Sequence, residues 1–402
     1  AAGLAREDAW SPGGLEVLPA AQVARLHGSG PLPQRLRSSR NAGDKGSDPH
    51  SIAAVLDRIA AGQPPSEPDI VALFNARGRD FTAVCRAADT LRAQRCGDTV
   101  TYVVNRNINY TNICTYGCTF CAFSKGRHSL GHREKPYDLA LDEIAQRTAE
   151  AWSRGATEVC LQGGIRPGYT GDTYRGIVGA VKSAAPDMHV HAFSPLEIWH
   201  GAETLGLPLY DYLARLQVAG LASLPGTAAE ILDDEVRAVL CPDKINTAQW
   251  LEVMEAAHAV GLSSTATIMF GHVDGYRHWA RHLLRVRDLQ AKTGGFTEFV
   301  PLPFVHMEAP IYLKGRARKG PTFREAILMH AVARLALDPL ITNIQASWVK
   351  MGPDGAALCL SAGANDIDGG VTSVQSPAIA MNSKSRVCPG ETSTVVSGHC
   401  AP

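Results

Sequence analysis

The sequence has no apolar run approaching the roughly 20 residues of a membrane-spanning helix, and its N-terminus lacks a charged stretch leading into an apolar core. It has no excess of charge, with 39 Lys and Arg against 39 Asp and Glu. That balance argues against nucleic acid or an anionic membrane surface as the main partner, since both recruit net positive charge. Charged residues are only 19% of the chain and hydrophobic ones 45%, a proportion that supports a packed core. With 402 residues, the chain is long enough for one large α/β barrel with an appendage, or for two smaller domains. Methionine is missing from position 1, where the chain has Ala1; the expectation is a trimmed or processed terminus, or a piece of something longer.

Ten cysteines are too few for a disulfide scaffold at this length. Cys85, Cys96, Cys160, Cys241 and Cys359 stand singly in apolar or helical surroundings and read as small buried hydrophobes. A reducing compartment follows. The expected location is the cytoplasm, or an organelle stroma if a parent chain carried a transit peptide.

Residues 1–50 are rich in Gly, Pro, Ser and Arg and read as a linker, with one short helix near AAQVARL. Residues 51–98 carry three helical patterns, and residues 99–370 alternate between strands and helices. The strands are expected at VTYVVNRNI, EVCLQGGI, MHVHAFS, LASLPG, STATIMFG, FTEFVPLPF, NIQASW and, more weakly, GAND. A helix starting near Asp138 is expected to bury Leu141, Ile144, Ala145, Ala149 and Trp152, and Thr322 with Glu325 makes a capping-box start for TFREAILMHAVARLAL. Repeated β-α units with seven or eight strands predict an α/β fold, a (βα)8-type TIM-like barrel with a preceding helical segment. Residues 371–402 show no periodicity and read as an irregular tail, in which Cys388 and Cys400 are bystanders.

The informative stretch is NINYTNICTYGCTFCAF, which places Cys114, Cys118 and Cys121 at the spacing C-x3-C-x2-C. Structural zinc wants four ligands, and His128 is the one nearby candidate for a fourth. A redox CxxC pair belongs to a small thioredoxin-like unit, which this is not. Three thiolates on a cubane 4Fe-4S cluster leave one iron open, as a catalytic site requires. The motif follows the first strand, at the end of the barrel where active sites sit.

Here the chain resembles the radical S-adenosylmethionine (SAM) enzymes. Across most of residues 51–370, the blocks NRNINYTNICTYGCTFCAF, CLQGGIRPG, HAFSPLEI, LPGTAAEILDDEVR, FTEFVPLPFVHMEAP and NIQASWVKMG are similar to the tyrosine-using half of the FO synthase family. The resemblance implies a 4Fe-4S cluster whose fourth iron takes SAM. It also implies cleavage of L-tyrosine at Cα–Cβ and transfer of its 4-hydroxybenzyl unit to 5-amino-6-(D-ribitylamino)uracil, on the way to a deazaflavin. The implied partners are a reductant such as flavodoxin or ferredoxin and the second radical half, fused or separate, whose junction GLAREDAW resembles. The alternatives are an aminofutalosine synthase-like enzyme, which adds a radical to an enolpyruvyl ether, and a zinc- or cluster-binding module without turnover. The family's usual continuation after GANDIDGG is absent here.

Gly163 and Gly164 are read both as a tight turn and as bare backbone that SAM can approach. Phe120 and Glu230 are expected cofactor contacts by the same resemblance, with Glu230 otherwise an ordinary surface helix glutamate; Ser194, at its strand end, is a cofactor contact or equally a helix N-cap. His189 and His191 alternate along one strand, and His191 is assigned to substrate rather than to a second metal. Asn343 and Gln345 offer inward polar groups to a ribityl chain or uracil edge. His306 and Glu298, flanking the PLPF block, are the catalytic candidates, with His306 placed as a proton shuttle or a partner of the tyrosine phenol.

Overall fold

The computed structural model describes residues 49–124 and 135–368. The expected linker before residue 49, the tail after residue 368 and His128 lie outside them. Among the described residues, nine strands form one parallel sheet: β1 Thr101–Tyr102, β2 Asn105–Asn109, β3 Glu158–Gln162, β4 His189–Ala192, β5 Ser223–Leu224, β6 Ser263–Phe270, β7 Phe296–Pro303, β8 Asn343–Ala346 and β9 Asp366–Ile367. From β2 to β9 each strand pairs with the next, and β9 pairs with β1. The two edges of the sheet are therefore consecutive pieces of one run of chain. Thr101 lies opposite Asp366, and Asn105 lies opposite Glu158, with Val103 and Val104 between the pieces.

This resolves the strand count. VTYVVNRNI is a single stave that serves both ends of the sheet, so it breaks in the middle. Counted as one, it brings the total to eight, and the sheet curls into the TIM-like barrel that the β-α alternation predicts.

Side chains alternate across each strand. Val159, Leu161, Val190, Ala192, Ile344 and Ala346 are fully buried and face the helices. The positions between them are Glu158, Cys160, His189, His191, Asn343 and Gln345, all part-buried and facing the interior. Barrel interiors are ordinarily filled by branched apolar side chains; this one is lined with hydrogen-bonding groups. Cys160, expected as a small core hydrophobe, belongs to that polar lining.

The helix Phe323–Leu337 starts with the anticipated capping box: Thr322 Oγ1 accepts from the Glu325 backbone, and Glu325 Oε2 accepts from the Thr322 N–H at 2.8 Å. Every residue from Glu325 to Leu337 is buried. The cover on its outer side comes from the preceding helices Glu67–Asn75 and Gly78–Cys96, which pack directly on it, so the helical segment shares a core with the barrel.

Two expectations need correcting. The helix Leu141–Ser153 buries Ile144, Thr148 and Ala151, whereas Leu141 and Trp152 are exposed. Its inner stripe includes Thr148, whose hydroxyl is satisfied by the Ile144 carbonyl at 2.9 Å, so an apolar count selects the wrong stripe. The helix Pro195–Leu205 was anticipated only through the N-cap reading of Ser194, and the helices Asp234–Leu240 and Trp348–Leu360 were not anticipated as such. The last is broken by Gly352 and Pro353, which erase its period.

Candidate active site

The three cysteines lie on the loop that leaves β2 at the C-terminal end of the barrel. Three neighbouring segments hold it. Thr115 N–H and Oγ1 donate to the Ile165 carbonyl at 2.9 and 3.1 Å. Thr119 donates to the Leu240 carbonyl at 2.8 Å through its N–H, and its own carbonyl accepts from Ile311 N–H at 2.7 Å. Gly117 N–H donates to Asp243 Oδ2 at 3.3 Å. Two of the sulfurs accept backbone bonds, Cys114 from Ile165 N–H at 3.4 Å and Cys121 from Ser124 N–H at 3.3 Å. The three sulfur atoms do not gather within 4.8 Å of one another as a set. Thiolates on one tetrahedral zinc would, because Zn–S bonds of about 2.3 Å put the sulfurs roughly 3.8 Å apart.

Gly163 and Gly164 form a ledge beside this loop. A Cβ on Gly164 would lie 2.2 Å from the Ile113 carbonyl oxygen and 2.9 Å from Cys114 Cβ, and one on Gly163 would lie 2.3 Å from the Tyr110 ring. Neither has a positive φ. The glycines are required by close approach to the Tyr110 ring and the cysteine loop rather than by a left-handed turn.

On the opposite side, Lys244 Nζ reaches Glu230 Oε1 at 2.6 Å, with both side chains nearly buried, and lies 5.5 Å from the Phe120 ring centre. Burial lowers the Lys244 pKa, but the Glu230 carboxylate beside it outweighs this and holds the ammonium charged. Glu230 and Ala228 adopt left-handed backbone, φ 44° and 61°, a strain that tends to mark functional loops. Removing one partner of such a pair leaves a buried charge. Lys244→Met is therefore expected to cost about 3–5 kcal/mol, read by chemical denaturation, and the double variant with Glu230→Gln should recover most of it.

Deeper in the barrel, His189 Nε2 and His191 Nδ1 both reach Ser223 Oγ at 2.7 Å. Glu158 joins them, its ligand atom and theirs falling within 4.8 Å of one another. The serine hydroxyl already commits both facing ring nitrogens. Burial lowers the His191 pKa to about 4, so the ring is neutral at pH 7. Glu298 accepts from Gln345 Nε2 at 3.2 Å. Burial, reinforced by the charges of Asp366, Glu158 and Asp368, pushes its pKa well above the carboxylate range. Asp366 is raised to about 7, first by burial and then by Asp368 and Glu158, against bonds from Thr101 and Gln345.

A carboxyl whose folded pKa exceeds its unfolded one holds its proton better when folded, so stability falls as pH rises through that window. From Asp366 the loss runs from about pH 4 to about pH 7. Asp366→Asn, which can still accept from Thr101, should raise Tm at pH 8 and flatten the Tm–pH curve between these limits. An unchanged slope would contradict the shared acidity of this group.

Residues 108–286 match the Radical SAM superfamily, and residues 293–383 match the CofH/MqnC C-terminal region. A Methanothermobacter thermautotrophicus protein named 5-amino-6-(D-ribitylamino)uracil–L-tyrosine 4-hydroxyphenyl transferase is 47% identical over 310 residues, covering 77% of this chain and 83% of its own length. The chain belongs to this 4-hydroxyphenyl transferase family of radical SAM proteins. The FO synthase of Streptomyces coelicolor is 51% identical over 304 residues, 76% of this chain, but the match spans only 35% of that longer protein. Among solved structures, the [FeFe]-hydrogenase maturase HydG gives a TM-score of 0.63 at 13% identity, covering 84% of this chain and 72% of that one. Methylornithine synthase gives 0.59 at 19%, covering 78% and 85%. At those identities they show the fold alone.

Membership of the radical SAM family implies a 4Fe-4S cluster and SAM. The residues present fit such a group. The donors are three soft thiols on one loop, spaced too widely for a single ion, and two of them already accept N–H bonds. Burial pushes the Cys118 thiol up to about 12, so metal is needed to hold it as thiolate.

In this 4-hydroxyphenyl transferase-family chain, Cys114, Cys118, Cys121, Phe120, Gly163, Gly164 and Glu230 gather at the mouth of the barrel. His191, Gln345 and Glu298 line the interior. Asn343 is tied down there, donating to the Thr297 carbonyl at 3.2 Å and accepting from Asn365 at 3.0 Å. Ser194 caps the helix Pro195–Leu205 in a capping box with Glu197. The two catalytic candidates are not brought together. Glu298 lies five strand residues, roughly 16 Å, before the end of β7, while His306 follows that strand and meets Tyr312 edge-on at 4.5 Å. Sequence reading missed Lys244, Glu197, Glu158 and Asp366. The last two are visible only once strands are paired.

Proposed function

We propose that this chain carries out the tyrosine-using step of FO synthesis: cleavage of L-tyrosine at Cα–Cβ and transfer of the 4-hydroxybenzyl unit to 5-amino-6-(D-ribitylamino)uracil. The observation that carries the reading is the three-thiol loop at the barrel mouth, in a chain matching 83% of the archaeal transferase. Cys114, Cys118 and Cys121 would hold a 4Fe-4S cluster with a place for SAM. Bound there, cluster and SAM would supply the one-electron cleavage that starts radical chemistry. Gly163 and Gly164 give SAM bare backbone, and Phe120, Ser194 and the Glu230–Lys244 pair surround it. The polar interior receives the substrates. His191, neutral in its buried setting, accepts or donates one hydrogen bond as its tautomer requires, with Gln345 and Asn343 beside it. Glu298, whose burial favours the protonated form, acts as a donor. His306, nearer the mouth, shuttles the phenol proton. Polar ligands suit such a lining because each buried group left unmatched costs free energy.

In this reading residues 99–370 are the catalytic barrel, residues 51–98 its helical buttress, and the setting is the reducing cytoplasm. The reductant is a flavodoxin or ferredoxin. The other radical half, which the much longer FO synthases would contain, closes the deazaflavin ring, fused or separate.

The test is anaerobic turnover by iron- and sulfide-reconstituted protein with dithionite, SAM, L-tyrosine and the ribitylaminouracil, read by mass spectrometry. 5′-Deoxyadenosine together with the hydroxybenzyl–uracil adduct is the expected outcome. 5′-Deoxyadenosine without the adduct would overturn the substrate assignment, and consumption of an enolpyruvyl ether instead would favour the aminofutalosine-type reaction.

A further inference from the structure

Glu197 is buried, 2% exposed, on the helix that follows β4, and no cation partners it among the described residues. Its carboxyl is instead surrounded by donors from three strand ends. Tyr110 O–H, beyond β2, and Gly163 N–H, beyond β3, both donate to Oε1, the latter at 3.1 Å. Ser194 N–H and O–H, beyond β4, donate to Oε2 at 2.7 and 2.5 Å. Gly163 leads directly to Gly164, whose Cα leaves no room for a Cβ against Ile113 and Cys114. The residue before Ser194, Phe193, is held in left-handed backbone at φ 54°, a conformation a bulky side chain keeps only under local restraint.

We propose that Glu197, as a carboxylate, is a positioning residue that ties together the mouths of β2, β3 and β4 and through Gly163–Gly164 sets the place of Cys114 and the SAM ledge. Four donors on two oxygens call for an acceptor-only group. Two of the donors are backbone N–H groups that cannot turn away, one on each oxygen. An amide in place of the carboxylate therefore faces a donor with a donor whichever way it is flipped. The inference rests on the reading that Cys114, Cys118 and Cys121 carry the cluster.

The test compares reconstituted wild type with Glu197→Gln, Glu197→Asp and Tyr110→Phe. It measures iron per chain, SAM affinity and the change that SAM produces in the electron paramagnetic resonance spectrum of the reduced cluster. Glu197→Gln is expected to bind SAM at least tenfold more weakly and to lose the SAM-induced spectral change. Glu197→Asp keeps the charge but falls one methylene short, and should lose three- to tenfold while staying folded. Tyr110→Phe leaves three donors and the charge in place, and should remain within threefold of wild type.

A Glu197→Gln protein with lowered Tm but wild-type SAM affinity and spectrum would overturn the proposal, because the residue would then support the fold alone. If Glu197→Gln does not fold, a Glu197→Asp protein indistinguishable from wild type overturns it equally. Wild-type protein that takes up no iron would overturn the cluster reading and this inference together, whereas wild-type uptake with unchanged variants overturns only the inference.

Discussion

Cys118→Ala is expected to leave reconstituted protein without visible cluster absorption, with iron per chain near background and with no formation of 5′-deoxyadenosine. The reason is local. Cys118 lies on the loop braced by Ile165, Leu240 and Ile311, and its burial keeps the free thiol protonated at neutral pH. In the proposed cluster, iron would take the place of that proton. With Cys118 gone, Cys114 and Cys121 are too few to hold a cubane. The fold should tolerate the change, since the side chain is only part-buried, and the metal-free Tm should move by a few degrees at most. Cys241→Ala is the control. That thiol is buried, is pushed up to about 11 by burial, and feels Lys244 as Cys118 does, but it lies on a different segment. It should keep full iron. A Cys118→Ala protein that still cleaves SAM, or a Cys241→Ala protein that cannot, would move the cluster off the assigned loop.

The grouping of Cys114, Cys118 and Cys121 was legible because all three sit close in sequence on one loop. The strands were legible for a related reason, since each announces itself by period and by turn residues. The Ser194 cap and the Thr322–Glu325 box are also local and were read correctly in kind. The interior was not legible in the same way. Glu158, Glu298 and Asp366 are single acids on strands far apart in sequence, each ordinary by itself, and only sheet pairing makes them neighbours. Lys244 in CPDK looks like any loop lysine until the fold buries it against Glu230. Glu298 and His306 flank one conspicuous block, and both were candidates for that reason. A strand is extended, however, so Glu298, inside β7, lies well short of the strand end that His306 follows. Likewise, the pair Gly163–Gly164 could be seen in the sequence, but the reason for it could not. The reason is the neighbouring loop.

That reason makes the second large effect predictable. Gly164→Ala puts a methyl group 2.2 Å from the Ile113 carbonyl oxygen and 2.7 Å from its carbon, both backbone atoms that cannot rotate out of the way. Relief needs about 1 Å of movement, either by the ledge or by the stretch carrying Cys114. Ledge movement breaks the Ile165 N–H bond to Cys114 Sγ and the Thr115 bonds to the Ile165 carbonyl. Loop movement displaces the thiol itself. Both routes misplace a ligand, and a displacement of that size can cost about a hundredfold in turnover. The expected result is severalfold lower iron per chain and turnover reduced by about 10²-fold, with overpacking costing about 1–3 kcal/mol of stability. Gly179→Ala separates this from a general cost of added methyl groups. It lies inside the helix Gly171–Ala184, where a Cβ meets nothing within 4 Å, so it should keep wild-type iron and gain about 0.5–1 kcal/mol from reduced backbone freedom. If Gly164→Ala instead loads iron and turns over like Gly179→Ala, the ledge is free to yield, and the close packing between Gly164 and the cysteine loop does not set the geometry of the site.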